Sequence, residues 1–247
     1  MSCVKATFVG KLSRTCSAMF VCIAAVFTFE SYGSDSRSKT LSCLGGGPDD
    51  FRAMGSAPST SKDDMVGMLV EIPAGSNDKW EFDKDARKLV WTLENDLPRV
   101  VDYLAYPANY GMVPQTLLPK HLGGDGDPVD ILLLGPAEKR DVRLDVRLIG
   151  ILNLVDKGEE DNKLVAVLPG GGFGHVYNLS QLRMEYPGVL DILELWFSNY
   201  KGKGKVVSHG FGDRSVATQY LKEAFMAFDT KFNREIEVSS RKGCDIN

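Results

Sequence analysis

The sequence is poor in the residues that usually build soft-metal and thiol sites. Its 247 residues include five cysteines, Cys3, Cys16, Cys22, Cys43 and Cys244, and none lies between Cys43 and Cys244. The globular pattern falls in that gap. A Cys-based zinc site, a catalytic thiol and a disulfide framework are therefore excluded from it. The three histidines, His121, His175 and His209, are widely spaced, match no zinc spacing and read as surface residues. Positive charge is not in excess either. A formal net charge of −4 argues against a general nucleic-acid partner. No apolar run reaches the roughly 20 residues of a comfortable membrane span, so no stable span is expected. What remains, 43% hydrophobic and 25% charged, is the composition of an ordinary globular protein of one or two domains.

The first 30 residues differ from the rest. Lys5, Lys11 and Arg14 precede any acidic residue, and the short apolar stretch Ser17 to Phe27 follows. A basic start before a short apolar run is the layout of a secretory signal peptide. An organellar transit peptide, to a plastid or mitochondrion, and a signal anchor are the competing readings. Residues 31–62 are rich in Ser, Gly and Asp and read as a linker or a second part of a presequence. The expected division is a removable or disordered targeting extension at 1–62 and a globular domain at 63–247.

From Met65 onward short strands dominate. Met65 to Ile72 reads as a strand closed by Pro73, and Trp80 and Phe82 alternate with Glu81 and Asp83. Further runs are Lys88 to Leu93, Val129 to Leu134, Val146 to Val155 and Leu164 to Leu168. Strands with turn signals and few helices between them predict a closed antiparallel sheet or barrel. Two late helices are expected. Val189, Leu193, Trp196 and Tyr200 form one stripe, with Ile192 and Phe197 beside it; Leu221, Phe225, Phe228 and Phe232 form another, after an N-cap at Asp213. Core packing is the expected role of the aromatics among them, Tyr200 excepted.

One turn carries unusual charge. Gly123-Gly124-Asp125-Gly126-Asp127-Pro128-Val129-Asp130 runs straight into Ile-Leu-Leu-Leu. Three carboxylates in one turn repel each other unless a cation neutralises them, and oxygen ligands suit hard divalent ions, Mg²⁺ first. A solvated acidic turn is the plainer alternative. An EF-hand does not fit: counted from Asp125, position 6 is Asp130 where Gly is required, and position 12 is Pro136 where Glu is required. A Walker A loop is also missing, and Gly170 to Gly174 reads as a flexible loop.

Polar residues recur at predicted strand ends. Glu71 ends the first strand, Lys79 and Glu81 share a face of the second, and Arg99 precedes an extended stretch. Asp156 and Asp161 flank a turn, Lys163 follows, and Tyr200 and Lys201 end a helix. Singly, each has a plain reading as a solvated strand face, charged hairpin or basic loop. Together, metal-holding carboxylates beside Lys, Arg and Tyr donors suit a metal-bound polyphosphate.

The chain resembles the family I soluble inorganic pyrophosphatases. The resemblance rests on Glu71-Ile72-Pro73-Ala74-Gly75-Ser76-Asn77-Asp78-Lys79-Trp80-Glu81, Tyr106-Pro107-Ala108-Asn109-Tyr110-Gly111, Asp125-Gly126-Asp127-Pro128-Val129-Asp130, Asp156 through Val167, and Tyr200-Lys201. These segments occur in the family's order over roughly residues 66–230. The resemblance implies a mainly β fold with some helix, a five-stranded OB-like barrel flanked by two C-terminal helices. It implies hydrolysis of pyrophosphate to two orthophosphates with several Mg²⁺ ions, in a dimer or hexamer. Carried over by position, it makes Asp125, Asp130, Asp156 and Asp161 metal ligands, with Glu71 and Glu81 as outer or additional ligands. It makes Asp127 the general base toward a metal-bridging water, and Lys79, Arg99, Tyr110, Lys163, Tyr200 and Lys201 phosphate-binding groups.

The chain departs from the family in places. Glu94 to Pro98 resembles an insertion, and the Arg99-to-Tyr106 spacing is one short, which weakens the Arg99 carry-over. Leu117 to Gly124 is an extra stretch expected to lengthen a loop near the site. Lys157 stands where some members have an acidic residue and is left out of the metal set. The competing functions are hydrolysis of another phosphoanhydride, a nucleotide or short polyphosphate, and a non-catalytic OB-type binding module. The latter would call for a basic groove with stacking aromatics.

Overall fold

The computed structural model describes residues 65–241, except Asp85, Pro119, His121, Leu122 and the side chains of 235–241. The expected targeting extension and all five cysteines lie outside the described residues. In chain order the strands are β1 (Met65–Ile72), β2 (Trp80–Asp83), β3 (Lys88–Trp91), β4 (Leu93–Glu94), β5 (Leu97–Pro98), β6 (Asn109–Val113), β7 (Val129–Leu134), β8 (Arg143–Asp156), β9 (Glu159–Glu160), β10 (Lys163–Val167) and β11 (Val206–Asp213). The helices are α1 (Leu179–Glu185) and α2 (Val189–Asn199), before β11, and α3 (Arg214–Arg241) after it.

Five strands pair in a ring: β1 with β6, β6 with β7, β7 with β10, β10 with β8, and β8 back to β1. The expected all-antiparallel sheet needs one correction, because β7 and β10 are parallel. Between them the chain runs through the hairpin of β8 and β9, which returns it in the starting direction. The 14-residue β8 is long enough to serve successive partners: β1 near its start, β10 in its middle, and β11 toward its end.

Side-chain alternation then decides what each face carries. On β7, Leu132 and Leu134 join Val165 and Val167 of β10 in a core under Leu193, Trp196 and Phe197 of α2. Val129, Ile131 and Leu133 face the other way, toward Ala217, Leu221 and Ala224 of α3. With both faces covered, β7 needs an almost unbroken apolar run. Each such side chain contributes about 1.5–3 kcal/mol on burial. Tyr110, Asp130, Asp156 and Lys163 hold positions of the same parity as Leu132, Leu154 and Val165. One face of the ring therefore collects them. On β1 the register shifts between Val70 and Ile72. Val66, Met68 and Val70 pack on the α3 side, whereas Ile72 packs on the α2 side. Glu71 is the extra residue at that bulge, a device that re-aims a side chain.

Several element readings change. Lys88 to Leu93 is not one strand: β3 stops at Trp91, and Leu93 opens a second hairpin. The expected insertion Glu94 to Pro98 lies in this hairpin, whose turn residues Asn95 and Asp96 have φ of 53° and 62°, as a type I′ turn requires. Among the described residues three helices stand where two were expected; α1 is short and starts at the Asn178 N-cap, which accepts from Gln181 N. Asp213 caps α3, accepting from the Ser215 and Val216 backbone. Phe228 and Phe232 are only half-buried, because Ala217 and Ala224 let α3 approach the sheet instead. Ile192, beside the expected stripe, is 57% exposed on α2. His175 and His209 are exposed, as expected.

Candidate active site

The Asp turn is held by its own backbone. Asp127 N donates to Asp125 Oδ1 at 2.8 Å, and Gly126 supplies a φ of +86°, a conformation L side chains rarely adopt. Leu118 is bonded to the turn twice: its N–H donates to the Asp127 carbonyl, and its carbonyl accepts from Gly126 N. The extra stretch before the turn thus braces it. Gly123 O accepts from Glu160 N and ties the same loop to the β8–β9 hairpin.

Around this turn, carboxylates and lysines alternate. Lys163 on β10 is in register with Asp130 on β7. Its buried ammonium donates to Asp130 Oδ2 and to Asp161 Oδ1, each at 2.5 Å. Lys201, just past α2, donates to Asp156 Oδ2 at 2.7 Å and lies 3.9 Å from Asp161 Oδ2. Lys79 meets Glu81 Oε1 at 3.0 Å and sits over the Tyr110 ring, 4.6 Å from its centroid. The Lys163 ammonium lies 5.9 Å from the same ring. Tyr200 stacks on Trp196 at 4.6 Å, with Lys201 5.3 Å from its centroid. Glu71, at the β1 bulge, accepts from Phe82 N at 2.8 Å.

Burial sets the protonation pattern. It pushes Glu71 up to about 8; Asp130 and Glu81 add to this, and Lys79 and the Phe82 N–H oppose it. Burial would lower Lys79 and Lys163. For Lys79, Tyr106, Glu81, Asp130 and Glu71 more than offset that; for Lys163, Asp130 and Asp161 do. Both therefore lie above the ordinary lysine range. Lys201 is also raised: burial again pulls down, but Tyr200 and Asp156 outweigh it. Asp125 is raised by partial burial and by Asp127, Asp130 and Asp161, against its bond from Asp127 N.

The carboxylates fit a hard divalent cation. Asp156 Oδ1 is buried without a hydrogen-bond partner, and such an atom has room for a cation or an ordered water. With Glu71 favoured in its neutral form by burial, six carboxylates gather with four lysine ammonium groups, still an excess of negative charge. Among the described residues, no group of three acidic, His or Cys side chains forms a ready-made cage.

One placement departs from the sequence reading. The Arg99 side chain points to Glu94 on the β4–β5 hairpin, with Nε 4.0 Å from Oε2. Only its backbone joins the site strands, through Lys79 N and Trp91 Nε1 bonded to its carbonyl. The residue that sequence reasoning missed is Lys84. It bonds the Asp127 carboxylate and, at 3.1 Å, the Gly126 carbonyl. Nothing in the sequence marked it, because only folding brings the end of β2 to the Asp turn. Tyr220 of α3 also reaches the site; its phenol is raised by burial and by Glu160, and its buried hydroxyl has no hydrogen-bond partner among the described residues.

A family profile described as inorganic pyrophosphatase matches residues 68–229. The chain belongs to the inorganic pyrophosphatase family. Similar proteins include the inorganic pyrophosphatases of Corynebacterium efficiens, 34% identical over 64% of this chain and 95% of that protein, and of Halalkalibacterium halodurans, 33% identical over 66% and 95%. Among solved structures, the Helicobacter pylori inorganic pyrophosphatase is 32% identical with a TM-score of 0.58, covering 68% of this chain and 95% of that one. The truncated Trypanosoma cruzi vacuolar soluble pyrophosphatase, solved with PPi, has a TM-score of 0.67 over 71% and 73% of the two chains. At 22% identity it shares the fold. As a member of the inorganic pyrophosphatase family, the chain keeps the five-strand ring, and no helix among its described residues is long and apolar enough to cross a membrane.

Proposed function

We propose that this chain hydrolyses inorganic pyrophosphate to two orthophosphates in an Mg²⁺-dependent site. The observation that carries the reading is the alternation of Lys79, Lys163 and Lys201 with Glu81, Asp130, Asp161 and Asp156 in one cluster. Asp125, Asp130, Asp156 and Asp161 would hold the cations, with Glu71 and Glu81 behind them. Mg²⁺ there would neutralise phosphate oxygens and lower the pKa of a coordinated water.

The residues supply the rest. Once Asp130 and Asp161 are otherwise neutralised, the Lys163 ammonium is free to turn to a phosphate oxygen. Lys79 and Lys201 can do the same from Glu81 and Asp156, and the Tyr110 and Tyr200 phenols can donate. The raised lysines stay charged throughout the working pH range. Arg99 would join by leaving Glu94. Phosphoryl transfer asks mainly for positioning and charge neutralisation, which such a set provides. Asp127, more exposed than its neighbours, would take the proton of the attacking water. Neither another phosphoanhydride nor a non-catalytic binding role is favoured.

The test is phosphate release from pyrophosphate by the purified protein with Mg²⁺ and with excess chelator. Release that needs the metal supports the reading, and none above the chelated control overturns it. A homo-oligomer, a dimer or hexamer, is part of the same proposal and is read by sedimentation. So is delivery to an organelle or the secretory route by residues 1–62, read by microscopy of a C-terminal fluorescent fusion.

A further inference from the structure

On the far side of the Asp turn lies a cavity of about 240 Å³. Its walls include Phe82 of β2, Met112 of β6, Leu117, and Phe228 and Phe232 of α3. The two α3 rings lie parallel, 8° apart in plane with centroids 6.1 Å apart. Gly126 and Pro128, from the turn itself, close one side. Among the described residues, the charged side chains in the lining are Lys84, Arg87 and Lys231, all cationic. An apolar chamber with charge of one sign selects an apolar ligand of the opposite charge.

We propose that this cavity is a second ligand site, for a small anion with an aromatic body, an aryl phosphate, sulfonate or carboxylate. The ring packs against Phe82 and Phe232, and the acid group meets Lys84 and Lys231. Lys84 gives the site a route to the reaction. Its ammonium bonds both Asp127 and the Gly126 carbonyl, so an anion in the cavity competes with Asp127 for it. Binding would then alter turnover, a consequence that rests on the pyrophosphatase reading.

The experiment is titration of the full chain with the fluorescent aryl sulfonate 1-anilinonaphthalene-8-sulfonate, with phenyl phosphate as competitor. Saturable binding displaced by phenyl phosphate is expected. Lys231→Glu and Phe232→Ser should each weaken it about tenfold, the effect of roughly 1.4 kcal/mol, with basal hydrolysis and circular dichroism unchanged. Equal affinity in wild type and both variants overturns the site. Equal affinity for uncharged 1-anilinonaphthalene overturns its preference for anions. If Phe232→Ser changes the sedimentation coefficient but not probe binding, the face is a contact between copies and the proposal fails. Probe fluorescence is read whether or not the protein hydrolyses pyrophosphate, so the two readings fail separately. An unchanged kcat at saturating probe removes the link to Asp127.

Discussion

Lys163 and Asp130 stand opposite each other on the ring's one parallel strand pair, and the Lys163 ammonium also holds Asp161. A single buried cation thus joins a carboxylate on β7 to one in the loop before β10. Removing one partner of a buried pair costs about 3–5 kcal/mol. Lys163→Met should therefore lower the stability of the chelated protein by about 3 kcal/mol. Mg²⁺ should restore more stability to the variant than to the wild type, because Asp130 and Asp161 then lack another counter-charge. Thermal unfolding with and without Mg²⁺ checks this; an equal Mg²⁺ effect on both proteins argues against Asp130 and Asp161 as ligands.

Asp127→Asn should cut kcat by roughly 10²- to 10⁴-fold, the range for losing a general base. The Asp127 side chain is 58% exposed, so stability should hardly move. Metal affinity, read by calorimetric titration, should stay close to wild type. Near-normal turnover would remove Asp127 as the base.

Arg99→Ala should raise KM and leave kcat near wild type, because a cation drawn from Glu94 to a phosphate assists binding more than chemistry. Glu94→Ala should lower KM slightly by freeing Arg99. Steady-state kinetics on both variants decides it, and an unchanged KM in Arg99→Ala would confine Arg99 to the hairpin.

Alkaline stability should depend on two buried phenols. Burial pushes Tyr106 up to about 12, with Lys79 opposing, and raises Tyr110 well above its ordinary value. The unfolded chain loses these protons near pH 10, while the folded chain keeps them. Stability is thus unaffected by them below pH 10 and falls as pH rises from 10 toward 12 and beyond. Tyr106→Phe should reduce that fall by about 3 kcal/mol, two units' worth for one group. Urea midpoints measured at successive pH values from 9 to 12 test it.

Much of the site was legible because its chemistry is local. The Asp turn and Asp156 with Asp161 are short strings whose residue types already imply charge that needs a cation, and the Tyr200-Lys201 pair is a short string of donors that suits an anion. The Asp213 cap and the apolar run of β7 were readable for the same reason: each depends on neighbours a few positions away. The β4–β5 hairpin was harder, since Asn95 and Asp96 signal a turn only once their flanking strands are known to pair. Phe228 and Phe232 fit a helical core stripe, yet the smaller Ala217 and Ala224 face the sheet.

The sequence by itself determined the strand-rich class, the acidic turn and the order of the polar segments, all carried by periodicity and short-range residue chemistry. Only the tertiary structure decided that β7 and β10 run parallel, which sets Lys163 against Asp130. It alone brought Lys84 to Asp127, turned Arg99 toward Glu94 and opened a cavity behind the turn. Those outcomes depend on contacts between residues far apart in the chain, which pairing and packing fix and local pattern does not encode.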